Sequence, residues 1–233
     1  DHSTTTAEAA GHTGGRFGHG GDILYRYGNP QAYDAGDASD QVLYGQHDAQ
    51  WIADGLPGAG DILVFNNGWQ SPDGNFSHVL ELAPPVDGTG QYAVNDDGTF
   101  AAAKIVWSYP QGNDSNFYSA YVSGAQRLEN GDTLMTLGST GTFVEVNPQG
   151  QTVWEYVNPD TDRGLLPQGR TVPADAQGSA NNVFKAVRYS YDYAGLSGRD
   201  LTPGAALVSG GTTSMVAASA LFSSNLQLAA SVS

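Results

Sequence analysis

Gly60-Asp61-Ile62-Leu63-Val64-Phe65-Asn66-Asn67-Gly68 opens on a Gly-Asp turn, runs through four apolar residues and stops at Asn-Asn-Gly. Four apolar residues held between turn signals describe a short, buried strand. The opening returns as Gly131-Asp132-Thr133-Leu134, and the likeness spreads outward from there. Val79-Leu80-Glu81-Leu82 answers to Phe143-Val144-Glu145-Val146. Val106-Trp107-Ser108-Tyr109-Pro110 answers to Val153-Trp154-Glu155-Tyr156, with Pro159 just beyond. Strands are therefore expected at 49–52, 62–65, 78–82 and 104–109, and again at 122–128, 133–137, 142–146 and 152–157. Four short strands per unit, closed by a Trp-x-Tyr strand, mark an all-β chain built as a β-propeller.

Around this double unit the pattern is weaker. Residues 1–21 are rich in Gly, His, Ser and Thr and read as a loop. Gly21-Asp22-Ile23-Leu24-Tyr25-Arg26-Tyr27 reads as a strand stopped by Gly28-Asn29-Pro30, the last strand of a preceding blade. Residues 160–179 read as a Pro/Gly/Asp loop, and 183–189 as one more strand or a short helix. The domain expectation is a partial propeller over 1–204, two full blades and part of a third, followed by a Ser/Ala/Gly-rich tail over 205–233. That uncharged tail fits a closing strand, a linker or a disordered end. Two blades and a fragment close no ring, so upstream blades or another chain are expected to complete it. The chain opens on Asp1 without a methionine or a leader segment, as after processing or truncation.

Composition narrows the function. Only 9 Lys and Arg stand against 24 Asp and Glu, a formal net charge of −15. Nucleic acid and anionic membrane surfaces need clustered basic side chains and are excluded as partners on that ground. No run is long and apolar enough to span a bilayer. There are no cysteines, hence no disulfide framework and no thiolate chemistry. The acid excess suits a salty exterior, so a periplasmic or extracellular (secreted) location is expected.

The chemistry-bearing stretch is Gln46-His47-Asp48-Ala49-Gln50-Trp51. If it pairs antiparallel with 62–65, His47 and Asn66/Asn67 share one end of the sheet. His78, opening the third strand, reaches the same rim. A neutral imidazole can act as a nucleophile and split one hard displacement into two easier ones. An isolated histidine at a strand end more often closes a backbone hydrogen bond, and Asn-Gly at a strand end is more often turn chemistry. Asp48 is adjacent to His47, so strand alternation sends it to the other face. His2, His12 and His19 lack the spacing of a metal site, and the clusters Asp34/Asp37/Asp40 and Asp96/Asp97 lack a full calcium-loop pattern; solvated turns are expected, with no metal and no cofactor. Trp107, Trp154, Tyr109 and Tyr156 recur at equivalent positions and read as packing.

Five pieces in order carry a family likeness: Asp1-His2-Ser3-Thr4-Thr5-Thr6-Ala7-Glu8-Ala9-Ala10, residues 21–30, residues 46–51, Val64-Phe65-Asn66-Asn67-Gly68, and Phe117-Tyr118-Ser119 with Ser123-Gly124-Ala125-Gln126-Arg127-Leu128. Over roughly 1–159 the chain resembles the bacterial arylsulfotransferase (aryl-sulfate sulfotransferase) family. The resemblance implies a six-bladed propeller that moves a sulfuryl group from a phenolic sulfate ester to another phenol, without a nucleotide sulfate donor. It implies His47 as the catalytic nucleophile and a hydroxyl residue near Phe117-Tyr118-Ser119, for which Ser123 is the nearest candidate; Asn66, Asn67 and His78 are expected as further substrate-binding positions from their place on the same rim. It also implies further anion ligands in the blade that would precede this one. A non-catalytic propeller that binds a ligand or packs in an extracellular assembly is the alternative, since a fold alone does not fix a function.

Overall fold

The computed structural model describes residues 3–175, 178–202, 205, 206 and 208. His2, the Pro203-Gly204 turn and nearly all of the 205–233 tail lie outside the described residues. The chain divides into two compact units, Asp1–Tyr121 and Val122–Ser233. Among the described residues both are all-β apart from one short helix and a few 3₁₀ turns.

The first unit is built on a four-stranded antiparallel sheet of β1 (His47–Trp51), β2 (Ile62–Asn66), β3 (His78–Ala83) and β4 (Lys104–Tyr109), in chain order. All four strands expected from the sequence are present. The two central strands are buried on both faces, which is why Ile62–Asn66 and Val79 to Leu82 read as nearly unbroken apolar runs. One face packs Val64, Leu80 and Leu82 against Leu43 and Ala103, with Tyr25, Tyr27 and Val42 closing over them. The other face carries Leu63, Phe65 and Val79, and Phe117 stacks on Phe65 with centroids 5.9 Å apart.

The second unit repeats the design with β5 (Gly124–Arg127), β6 (Thr133–Leu137), β7 (Thr142–Val146) and β8 (Thr152–Val157), again in chain order. The repeat extends to a defect. In the first sheet Glu81 faces Trp107 while Leu82 faces Ile105, leaving Val106 as an extra residue on the edge strand. In the second, Glu145 faces Trp154 while Val146 faces Thr152, leaving Val153 extra. Both bulged valines sit immediately before the tryptophan of the Trp-x-Tyr strand.

Four readings are corrected. Residues 1–21 are not all loop: α1 (Thr6–Ala10) forms there, started by a capping box in which Thr5 Oγ1 accepts from Glu8 N–H and Glu8 Oε2 accepts from Thr5 N–H. Residues 21–27 form no strand. They have no ladder partner among the described residues, and Tyr25 and Tyr27 serve as cover for the core. Residues 183–189 are neither strand nor helix. They form a strap in the second unit, held by Val183 N–H to Gly138 O (2.9 Å), Ala186 N–H to Thr136 Oγ1 (3.0 Å) and a two-way bond between the Gln126 amide and the Arg188 backbone (2.8 and 2.9 Å). The segment read as a Pro/Gly/Asp loop holds a small hairpin, β9 (Asp160–Thr161) with β10 (Gly164–Leu165).

Candidate functional site

The exit of β2 is shaped by Asn66-Asn67-Gly68. Gly68 has φ +71, and a Cβ placed there would lie 1.8 Å from the Phe76 carbonyl oxygen, so no other residue fits. The Asn66 amide acts as a substitute strand: its Oδ1 accepts from Tyr44 N–H (2.8 Å) and its Nδ2 donates to Val42 O (3.2 Å). Gly68 N–H adds a bond to Tyr44 O (2.9 Å). The segment leading into β1 is thereby sewn to the end of β2, and Gly45 and His47 arrive beside Asn67.

His47 is half-buried, and its Nδ1 lies 2.9 Å from Gly45 O and 2.8 Å from Asn67 Oδ1. The Asn67 amide cannot be turned the other way, because its Nδ2 donates to Ser119 O at 2.7 Å. Ser77 locks this arrangement from behind: its hydroxyl donates to Asn67 O (2.8 Å) and accepts from Ser119 N–H (2.9 Å), while its own N–H binds Phe117 O (3.0 Å). Asn67, Ser77 and Ser119 are each fully buried. Two oxygen acceptors at Nδ1 require that nitrogen to carry the hydrogen, so the neutral ring keeps its lone pair on Nε2. The arrangement therefore presents an oriented imidazole with one nucleophilic nitrogen, the geometry that nucleophilic catalysis by histidine needs.

The other expected residues are placed as follows. His78 sits opposite Asn66 in the ladder, at the same end of the sheet as His47, with Nε2 3.2 Å from Gly112 O. Ser123 lies in the second unit, buried at φ +88, and its hydroxyl accepts from Gly138 N–H (3.0 Å). Asp48 does not follow strand alternation. It has φ +57 in a bulge, since His47 pairs with Phe65 and Gln50 with Leu63, and its carboxylate accepts from the Gln50 side chain (3.1 Å). His12 is paired with Asp22 at 2.6 Å. Asp37 caps a 3₁₀ turn and Asp97 accepts from Thr99; hydrogen bonds from Ser39 and Thr99 hold these carboxyls below their usual range. Among the described residues no three His, Asp or Glu side chains group as a metal site, and no helix is long and apolar enough to cross a membrane.

Three members of the His47 network escaped the sequence reading: the Gly45 carbonyl, Ser77 and Ser119. Phe117-Tyr118-Ser119 was visible as a motif, but nothing in it says that a main-chain carbonyl will take the Asn67 amide. The family model described as Arylsulfotransferase (ASST) matches residues 25–166, more than half of the chain and a span that holds His47, Asn67, Ser77 and Ser119. No curated protein and no solved structure matches. With a matched span that encloses the whole oriented-imidazole network, the chain belongs to the arylsulfotransferase family, whose members act on small aryl substrates.

Proposed function

We propose that this chain transfers a sulfuryl group from a phenolic sulfate ester to a phenol through an N-sulfo intermediate on His47. The Nε2 lone pair attacks the donor sulfur, the N–S bond forms and the S–O bond to the ring breaks, with the electron pair leaving on the phenolate. The Nδ1 hydrogen stays in place, and its two acceptors, Gly45 O and Asn67 Oδ1, offset the positive charge the sulfated ring acquires. A second phenol attacks the sulfur, its proton passing to solvent, where the phenolate released first can take it up; the N–S bond breaks and Nε2 regains its pair. The observation that carries this reading is the double acceptance at Nδ1, which leaves Nε2 as the reactive nitrogen.

In this reading Asn67 positions the ring, while Asn66, His78 and Ser123 enter as framework through their bonds to Tyr44, Gly112 and Gly138. The two four-stranded units are blades of a propeller, and further blades supply the cations that an anionic donor requires of so acidic a chain. A periplasmic or extracellular location fits the same charge balance.

The test is a single turnover with 4-nitrophenyl sulfate and no acceptor. Wild type is expected to release one nitrophenolate per protein and gain one sulfuryl group on the peptide holding His47. His47→Ala is expected to do neither. Equal release from both proteins ends the proposal and leaves a binding module.

A further inference from the structure

Trp69 follows the obligatory glycine at the exit of β2 and is 53% exposed. It stands against Gly45: a Cβ built on Gly45 would lie 3.2 Å from Trp69 Cβ and 4.0 Å from the Cε3 edge of its indole. Gly45 is the residue whose carbonyl takes the His47 Nδ1 hydrogen. Trp69 thus packs on the same glycine that binds His47 Nδ1, and that glycine, at φ +65, puts no side chain between them. Its position is fixed from both sides, since Gly68 N–H is bonded to Tyr44 O and Gly68 itself is closed against Phe76. A half-exposed indole packed on the glycine that orients the nucleophile offers a flat, apolar face within reach of an aryl group bound at that rim. We infer that Trp69 is the stacking surface for the aromatic ring of the sulfate donor and of the phenol acceptor, and so selects aryl over alkyl sulfates.

The molecule contains its own control. Trp51 is equally exposed, at 53%, but sits at the other end of β1, opposite Ile62. It shares a strand with His47 and none of its surroundings.

This inference rests on the sulfuryl-transfer reading of His47, and the experiment separates the two. Trp69→Ala is expected to raise KM for 4-nitrophenyl sulfate about tenfold, the worth of one aromatic stack, with kcat within about twofold. Trp69→Phe should recover most of the loss, and Trp51→Ala should leave KM unchanged. The preference for 4-nitrophenyl sulfate over a short alkyl sulfate should fall about tenfold in Trp69→Ala. Independently of transfer, 4-nitrobenzenesulfonate, which has no ester bond to break, should quench tryptophan fluorescence saturably in the His47→Ala protein, and this quenching should vanish when Trp69 is also changed to Phe. Normal transfer with an unchanged aryl KM in Trp69→Ala overturns the inference and leaves His47 as nucleophile. Trp69-dependent quenching in a protein that never transfers the group supports the aryl surface and overturns the transfer reading.

Discussion

The two sheets can be laid over one another rung by rung, and they differ at the oriented imidazole. Ile62 pairs with Leu82 as Thr133 pairs with Val146, and His47 stands opposite Phe65 as Gly124 stands opposite Thr136. In that alignment Asn67 corresponds to Gly138. The buried glutamates Glu81 and Glu145 occupy the same rung, each facing the tryptophan of the last strand. The oriented imidazole is therefore not a property of the repeated sheet. It is installed on one copy by a histidine, an asparagine and one extra residue, Asp48, in the edge strand. The second copy has no room for the same arrangement: a Cβ at Gly138 would lie 2.5 Å from Val183 O, because the 183–188 strap runs where the Asn67 amide would go. Features common to both sheets belong to the scaffold, and features of one belong to its task.

The most disruptive way to test that division is at the scaffold glutamate. Burial pushes the Glu145 carboxyl up, the Arg188 guanidinium pulls it down, and Asp132 adds to the upward push. Arg188 pairs with Glu145 and lies 5.3 Å over the Trp154 ring, so the strap is held by charge as well as by backbone bonds. Arg188→Met leaves a buried acid without its cation and is expected to lower stability by about 3 kcal/mol at neutral pH. A carboxyl whose folded pKa is raised keeps its full contribution below the unfolded value and loses it as pH rises. The deficit should therefore shrink as the pH is lowered from neutral to acid and Glu145 takes up a proton. Urea unfolding followed by tryptophan fluorescence measures it, and Glu145→Gln in the same background should restore part of the loss. A deficit that is the same at both pH values would falsify the charge argument. Sulfuryl transfer per folded molecule should not change, since the site lies on the other copy.

A smaller effect is expected at the position that distinguishes the copies. Asn67→Ala makes the first sheet resemble the second at that rung. Nδ1 keeps Gly45 O but loses its second acceptor, and the buried Ser119 carbonyl loses the amide that satisfied it. The rate of His47 sulfation should fall about 10- to 100-fold, as for other partners that orient a reactive imidazole. Stability should drop by about 1 kcal/mol for the buried hydrogen bond lost. Rapid-quench single turnovers give the first number and urea titration the second. A variant that is destabilised but sulfated at the wild-type rate would make Asn67 a structural residue only.

Much of this was legible in the sequence, and the division between legible and hidden is physical. The eight strands showed because central strands buried on both faces must be apolar throughout, and because Gly-Asp and Asn-Gly turns punctuate them. His47 and Asn67 showed because both lie at strand ends whose pairing the pattern implied. Ser77 and Ser119 did not, because they act through contacts between residues 42 positions apart. The helix at Thr6–Ala10 did carry a signal, Thr5 followed three residues later by Glu8, but Gly, His and Thr around it favoured a loop. Residues 21–27 were misread for an instructive reason. Ile23, Tyr25 and Tyr27 alternate with Leu24 and Arg26 as a strand would, yet the alternation serves to lay two tyrosines on Val64, Leu80 and Leu82 without any ladder.

That cover should make the first unit sensitive to alkali. Tyr25 donates its hydroxyl to Ala101 O (3.0 Å) and stacks on Tyr92 at 4.9 Å. Burial, reinforced by Tyr27 and Tyr33, pushes its phenol from the usual 10.0 up to about 12. An acid whose folded pKa is raised contributes fully below its unfolded value and loses that contribution as pH rises through the folded one. Stability of the first unit should thus decline between about pH 10 and pH 12. Tyr25→Phe is expected to lose about 1 kcal/mol at neutral pH, for the bond to Ala101, but to decline less steeply over the alkaline range. Burial raises Tyr27 and Tyr33 as well, so part of the slope remains. Urea midpoints measured at intervals across that range would decide it: parallel curves for wild type and Tyr25→Phe would mean that the phenol is already exposed and that 21–27 covers nothing.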